Sequence, residues 1–211
     1  MGDTARRLAG PTVTAAALAA VLGLASSLST PVSHPSDFGP GLAAPDAGDP
    51  PERSGPRGAS VQAAPPERVL VRDVGLDARI DPVGVTEEGA MSVPEDPAVA
   101  GWYRYGPEPG TTQGSAVLVG HVDSDTGALG EFAALYEVER GDRVEVHRAG
   151  AEPSAYRVVS RATVPKDELS SSAFRRTGQP VLTLITCAPP FVPERGGYLA
   201  NLVVTARPER P

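Results

Sequence analysis

The sequence predicts a mostly β domain, an antiparallel barrel or sandwich, carried behind an exported leader and a spacer. Three observations support this. From Glu67 onward the apolar residues fall in short runs rich in Val, Ile and Thr, the residues that suit a pleated surface. Turn signals interrupt those runs roughly every ten residues, the rhythm of a barrel or sandwich. Pro and Gly number 23 each in 211 residues, more than a fifth of the chain against roughly an eighth in average composition.

The chain opens with MGDTARRLAG, which sets Arg6 and Arg7 ahead of an uncharged apolar run from Pro11 to Leu28. That run approaches the ~20 residues a helix needs to cross a bilayer. It has no amphipathic pattern, so a buried core helix is a poor reading. Residues 1–28 are therefore expected to be a signal anchor or a cleaved signal peptide. In both cases the basic pair stays cytoplasmic and the rest of the chain is exported. The expected location is the cell membrane, single-pass, with the folded domain extracytoplasmic.

Residues 29–66 contain nine Pro and five Gly among 38 residues, with Phe38 the only aromatic. Such a composition buries too little apolar surface to offset ordering entropy. It predicts a disordered, partly extended linker, a spacer between membrane and domain.

Residues 67–211 hold the other nine aromatics, and about 145 residues suffice for one core. Strands are expected at Arg68–Arg72 (RVLVR) and Leu76–Val85 (LDARIDPVGV), with Pro82 implying an edge or a bend. Ser115–His121 (SAVLVGH) is continuously apolar up to its last residues, as a buried strand would be. Arg143–Arg148 (RVEVHR) alternates, with Val144 and Val146 inward. Ala155–Ala162, Pro180–Cys187 and Tyr198–Ala206 complete the set. Helical signals are short: about two turns in Gly130–Val138 (GEFAALYEV) and one or two in Lys166–Phe174 (KDELSSSAF).

Composition excludes some functions. A net charge of −7 and a pI near 5.0 argue against nucleic acid as a partner, because phosphate binding needs a basic surface. One cysteine makes no internal disulfide and no thiolate-built metal site.

That cysteine, Cys187, ends the apolar run TLITC and precedes Ala188-Pro189-Pro190. The prolines bias the chain out of regular structure, so the thiol is expected at a strand end. A buried structural cysteine is one reading. A nucleophile is the other, favoured by export, where an unused free thiol is a liability. His121 ends the run AVLVGH in the same way, and a thiol needs such a base to become a thiolate near neutral pH. His147 falls on the outward side of its strand and His34 in the linker, so His121 is the histidine with a catalytic position. An oxyanion also needs donors. Pro189 and Pro190 have no N–H, whereas Arg195, in the loop before the last strand, offers a fixed fork; Arg175 and Arg176 come next. No metal or other cofactor is expected.

Together these residues resemble the sortase family. TLITC (Thr183–Cys187) is similar to its TLxTC signature, SAVLVGHVDS (Ser115–Ser124) to its histidine segment, and VPKDEL (Val164–Leu169) to its strand before the substrate groove. GWYRYGPEPG (Gly101–Gly110) followed by GHVDS looks most like the class F sortases of actinomycetes. The likeness spans roughly residues 68 to 208. It implies a closed eight-stranded β-barrel and a transpeptidase that cleaves an LPxTG-like motif between Thr and Gly. It implies Cys187 as nucleophile and His121 as general acid/base. The family's arginine lies in or near the last strand, where this chain has Leu199 and Ala200 at positions that are often Arg and Asp. Arg195 is the one arginine between Cys187 and Arg207 and is assigned the role. Thr186 is a second candidate for oxyanion or substrate contact. The implied partners are the sorting-motif peptide of secreted surface proteins and an amine of a peptidoglycan precursor or pilin. Two other functions stay open: a thiol hydrolase of the same motif, and an inactive barrel serving as an anchored binding module. The CGSCW-type and SHGC-type contexts of papain-like enzymes and L,D-transpeptidases are absent.

Overall fold

The structure, a computed structural model, describes residues 36–40 and 65–209. Eight strands close into a barrel: β1 (Pro66–Val71), β2 (Leu76–Val83), β3 (Val99–Tyr103), β4 (Ser115–Val119), β5 (Arg143–Arg148), β6 (Ser154–Pro165), β7 (Val181–Val192) and β8 (Gly197–Pro208). Their order around the barrel is β1-β2-β3-β4-β7-β8-β6-β5. Closure leaves no free sheet edge along the ring.

The expectation of a purely antiparallel sheet needs correction. β2 runs parallel to β3, and β4 parallel to β7. Parallel neighbours need long crossovers. Residues 84–98 supply the first, and the second spans everything between His121 and Pro180, including β5 and β6. The sequence reading also missed β3, whose VAGWY carries Ala100 and Gly101, both residues that strands disfavour. The short helices are 3-10 turns: Glu131–Tyr136, Lys166–Glu168 and Ser171–Phe174.

The barrel interior is filled by inward side chains, among them Val69, Leu76, Leu118, Val144, Val146, Leu182 and Leu184. Phe132 and Leu135 of the Glu131–Tyr136 turn join this cluster, both essentially without solvent contact. Burying one such side chain contributes roughly 1.5–3 kcal/mol. Gly120 makes room for Phe132: a Cβ there would lie 2.5 Å from its Cγ.

A second apolar cluster lies on the outer face. Val117, Val119, Ile185 and Val203 form it, with Met91, Tyr103, Val164, Leu169 and Phe174 packed against them. β4 is thus buried on both faces over its whole length, which is why SAVLV reads as continuously apolar rather than alternating.

The span read as linker includes a docked piece. Phe38 forms an antiparallel bridge with Arg161 of β6, and both N–H···O distances are 2.9 Å. The Asp37 carboxylate accepts the Thr163 N–H at 2.8 Å, and the Ser36 carbonyl accepts from the Arg161 guanidinium at 2.9 Å. The Phe38 ring lies under both Arg161 (5.1 Å) and Arg140 (5.7 Å). Gly39 follows at φ +81, where a Cβ would sit 2.4 Å from the Val159 carbonyl. His34 and the apolar run Pro11–Leu28 lie outside the described residues. Among the described residues no helix is long and apolar enough to cross a membrane.

Gly39→Ala should detach this segment. The amides of Arg161 and Thr163 would exchange faster with deuterium, and the unfolding free energy would fall by about 1–2 kcal/mol, one or two net hydrogen bonds. Unchanged protection at both amides would contradict the docking.

Candidate active site

The site grows out of the parallel pairing of β4 with β7. Their register sets Val117 against Thr183 and Val119 against Ile185. The Gly120 N–H extends the ladder to the Ile185 carbonyl at 3.1 Å. Two residues beyond the Val119–Ile185 pair on the two chains are His121 and Cys187. Side chains alternate along a strand. His121 therefore shares the outer face with Val117 and Val119, and Cys187 shares it with Ile185. Both side chains are half-buried. Both residues thus follow closely on the last paired residues of β4 and β7, which lie in the outer apolar cluster.

Cys187 is not at a strand end, as the prolines had suggested. β7 continues to Val192, with an irregularity between Ala188 and Phe191. Pro189 and Pro190 sit in that irregularity, where the ladder asks for no N–H. β4, by contrast, does end just before His121.

The remaining sequence candidates fall elsewhere. Thr186 has the alternation of Leu182, Leu184 and Ala188, which face the interior; it is 2% exposed and its hydroxyl has no hydrogen-bond partner. Its side chain points away from the thiol, so only its backbone borders the reactive face. Arg195 sits in the exposed 3-10 turn Pro193–Arg195 at the tip of the β7–β8 hairpin. Val192 pairs with Gly197 there, four residues along β8 from the Cys187–Asn201 pair. At ~3.3 Å per residue this is about 13 Å of ladder, more than an arginine side chain spans. The structure does not bring Arg195 to the thiol. Arg175 is held by the carbonyls of Ser172 and Gln179.

Other residues complete the surroundings. The Nε2–H of His121 donates to the Pro94 carbonyl at 2.7 Å. A carbonyl only accepts, so this contact fixes the ring and leaves the lone pair on Nδ1. The Tyr136 hydroxyl donates to the Cys187 carbonyl at 3.0 Å. The Tyr198 hydroxyl donates to Asp123 at 2.6 Å. That bond, with some burial, pushes the Tyr198 hydroxyl up to about 12, so it stays a neutral donor. Tyr136 is likewise raised, first by burial and then by Cys187 and Asp123. None of these three was singled out from sequence. Tyr136 lies within the GEFAALYEV run, Tyr198 opens the last strand, and Asp123 comes shortly after His121 in GHVDS, but only the folded contacts give them a role.

Burial pushes the Cys187 thiol up; the Lys166 ammonium pulls it down and the Asp123 carboxylate adds to the rise. Burial thus favours the protonated thiol, and a nucleophilic role would need a base to take its proton. Two surface cavities, one lined by Pro107, Gln113 and Arg176 and the other by Phe38, Tyr136 and Arg161, include neither Cys187 nor His121. Alkylation of Cys187 by iodoacetamide should therefore rise with pH through a midpoint above about 8.5, the ordinary thiol value. Lys166→Met should move that midpoint up and Asp123→Asn should move it down. A wild-type midpoint below about pH 7.5, a full unit under the ordinary value, would contradict the neutral resting thiol.

The sequence model of the family described as Sortase domain matches residues 71–209. No curated protein matches the chain. Among solved structures, the chain is similar to sortase C-1 from Actinomyces oris, with 22% identity and a TM-score of 0.51 over 68% of this chain and 73% of that one. It is similar to Streptococcus agalactiae sortase C1, with 23% identity and a TM-score of 0.53 over 69% and 67%. It is also similar to Listeria monocytogenes sortase A, with 20% identity and a TM-score of 0.52 over 70% and 88%. At these identities the likeness is one of fold.

Proposed function

The chain belongs to the sortase family, and from that premise we propose that it is an extracytoplasmic cysteine transpeptidase of class F type. It cleaves an LPxTG-like motif of secreted surface proteins between Thr and Gly. It then passes the acyl group to an amine of a peptidoglycan precursor or a pilin. The observation that supports this reading is the β4–β7 register, from whose last pair, Val119–Ile185, His121 and Cys187 each lie two residues on. The class assignment rests on Gly101–Gly110 and Gly120–Ser124. The membrane location rests on residues 1–28.

The chemistry is set by the groups present. His121 takes the thiol proton through Nδ1. The Cys187 sulfur attacks the Thr carbonyl carbon, and the carbonyl electron pair moves to oxygen. When the tetrahedral adduct collapses, His121 returns the proton to the leaving Gly nitrogen, and a thioester remains. The incoming amine then loses its proton to His121 and attacks the thioester, releasing the thiolate. The outer cluster around Val117, Ile185 and Val203, flanked by Leu169 and Phe174, offers the apolar surface for the Leu and Pro of the motif. Arg195 reaches this chemistry only if the β7–β8 hairpin carries it there.

A fluorogenic LPxTG-type peptide should be cleaved by the wild-type chain, and triglycine should appear in the product. Cys187→Ala should reduce cleavage to background. His121→Ala should lower it by ~10²–10⁴-fold, the usual worth of a general acid/base. Cleavage that survives Cys187→Ala would sink the proposal. Cleavage without any amine adduct would mark a hydrolase. No cleavage of any sorting-type peptide, with an inert thiol, would mark a binding barrel.

A further inference from the structure

We infer that Asn201 is the side-chain donor to the oxyanion, taking the part that sequence reasoning gave to Arg195; the inference rests on the transpeptidase reading above. In the β7–β8 ladder Cys187 and Asn201 are direct partners, flanked by Thr186 with Leu202 and Ile185 with Val203. Direct cross-strand partners hold their Cβ atoms about 4.5–5.5 Å apart. The register is unbroken from Leu182 to Ala188, so the alternation is secure. Val203 lies in the outer cluster, and Asn201, two residues before it, faces the same way. The half-buried Asn201 is thus the β8 side chain adjoining the thiol on the reactive face. His121 flanks Cys187 on the β4 side and Asn201 flanks it on the β8 side.

The neighbouring residues of β7 and the β7–β8 hairpin do not supply that donor. Thr186 points into the barrel. Pro189 and Pro190 have no N–H. Leu199 shares the face of Asn201 but carries no polar atom. Arg195 is at the hairpin tip. An Asn amide needs no ionisation to donate, and side-chain amides stabilise acyl-transfer oxyanions. In the attack step the S–C bond forms and the carbonyl pair moves to oxygen. The Asn201 Nδ2–H hydrogen-bonds that oxygen and keeps its proton throughout.

The test measures kcat, KM and Cys187 alkylation for the full chain with a fluorogenic LPxTG-type peptide. Asn201→Ala should lower kcat by ~10²–10³-fold, the usual loss for one oxyanion donor. KM should stay within about threefold, and iodoacetamide should alkylate the thiol at the wild-type rate. Asn201→Asp, nearly isosteric but without a donor, should lose at least as much. This guards against a folding defect in the alanine variant. Leu199→Arg in the Asn201→Ala background should recover at least about tenfold, because it returns a donor to the same face. If the wild type cleaves and both Asn201 variants keep kcat within about threefold, Asn201 is overturned while the transpeptidase reading stands. If the wild type cleaves no sorting-type peptide, both fall.

Discussion

One strand pairing governs the reactive face. β4 and β7 are parallel neighbours although much of the chain lies between them. A parallel pair cannot be closed by a hairpin, so β5 and β6 have to be laid down on the far side of the barrel before β7 returns. The pair is buried on its inner face by the barrel core and on its outer face by Val117, Val119, Ile185 and Val203. Double burial makes its register costly to shift, since a one-residue slip would send every side chain to the opposite face. Fixing that register fixes the Val119–Ile185 pair, two residues before His121 and Cys187.

Polar contacts then tie the Cys187 backbone to its surroundings. Tyr136 holds the Cys187 carbonyl, and the Arg161 guanidinium donates to the carbonyls of Tyr136, Val138 and Ser36. Arg161 is 4% exposed and sits among carbonyl oxygens and the Phe38 ring. A buried cation is tolerated only when so surrounded. Asp123 is occupied by Tyr198. Its charge still reaches the thiol and helps to keep the resting sulfur protonated. A protonated thiol is also less prone to oxidation than a thiolate.

Much of the fold was legible, and the failures share a cause. Strands that bury one face alternate, and RVEVHR was located residue for residue. Strands buried on both faces show as apolar runs, as with SAVLV. VAGWY carries neither signal strongly, and β3 was missed. Cys187 and His121 stood out in the sequence at the ends of apolar runs. What a linear reading lacks is lateral register. It had no means to see that Asn201 lies across from Cys187, that Thr186 turns inward, or that Arg195 is carried out to a hairpin tip. The two prolines after Cys187 misled for the same reason: their cost depends on whether the ladder needs an N–H at that point, and here it does not.

The docking of Ser36–Pro40 on β6 redefines the leash. Seven residues, 29–35, separate the apolar run ending at Leu28 from Ser36. Fully extended at 3.3–3.6 Å per residue, that reaches roughly 25 Å. Measured instead to the start of β1 at Pro66, the same leash would reach roughly 130 Å. The mooring also lies on β6, separated from the Cys187 strand only by β8. It therefore ties residues 36–40 to the side of the barrel that carries Cys187.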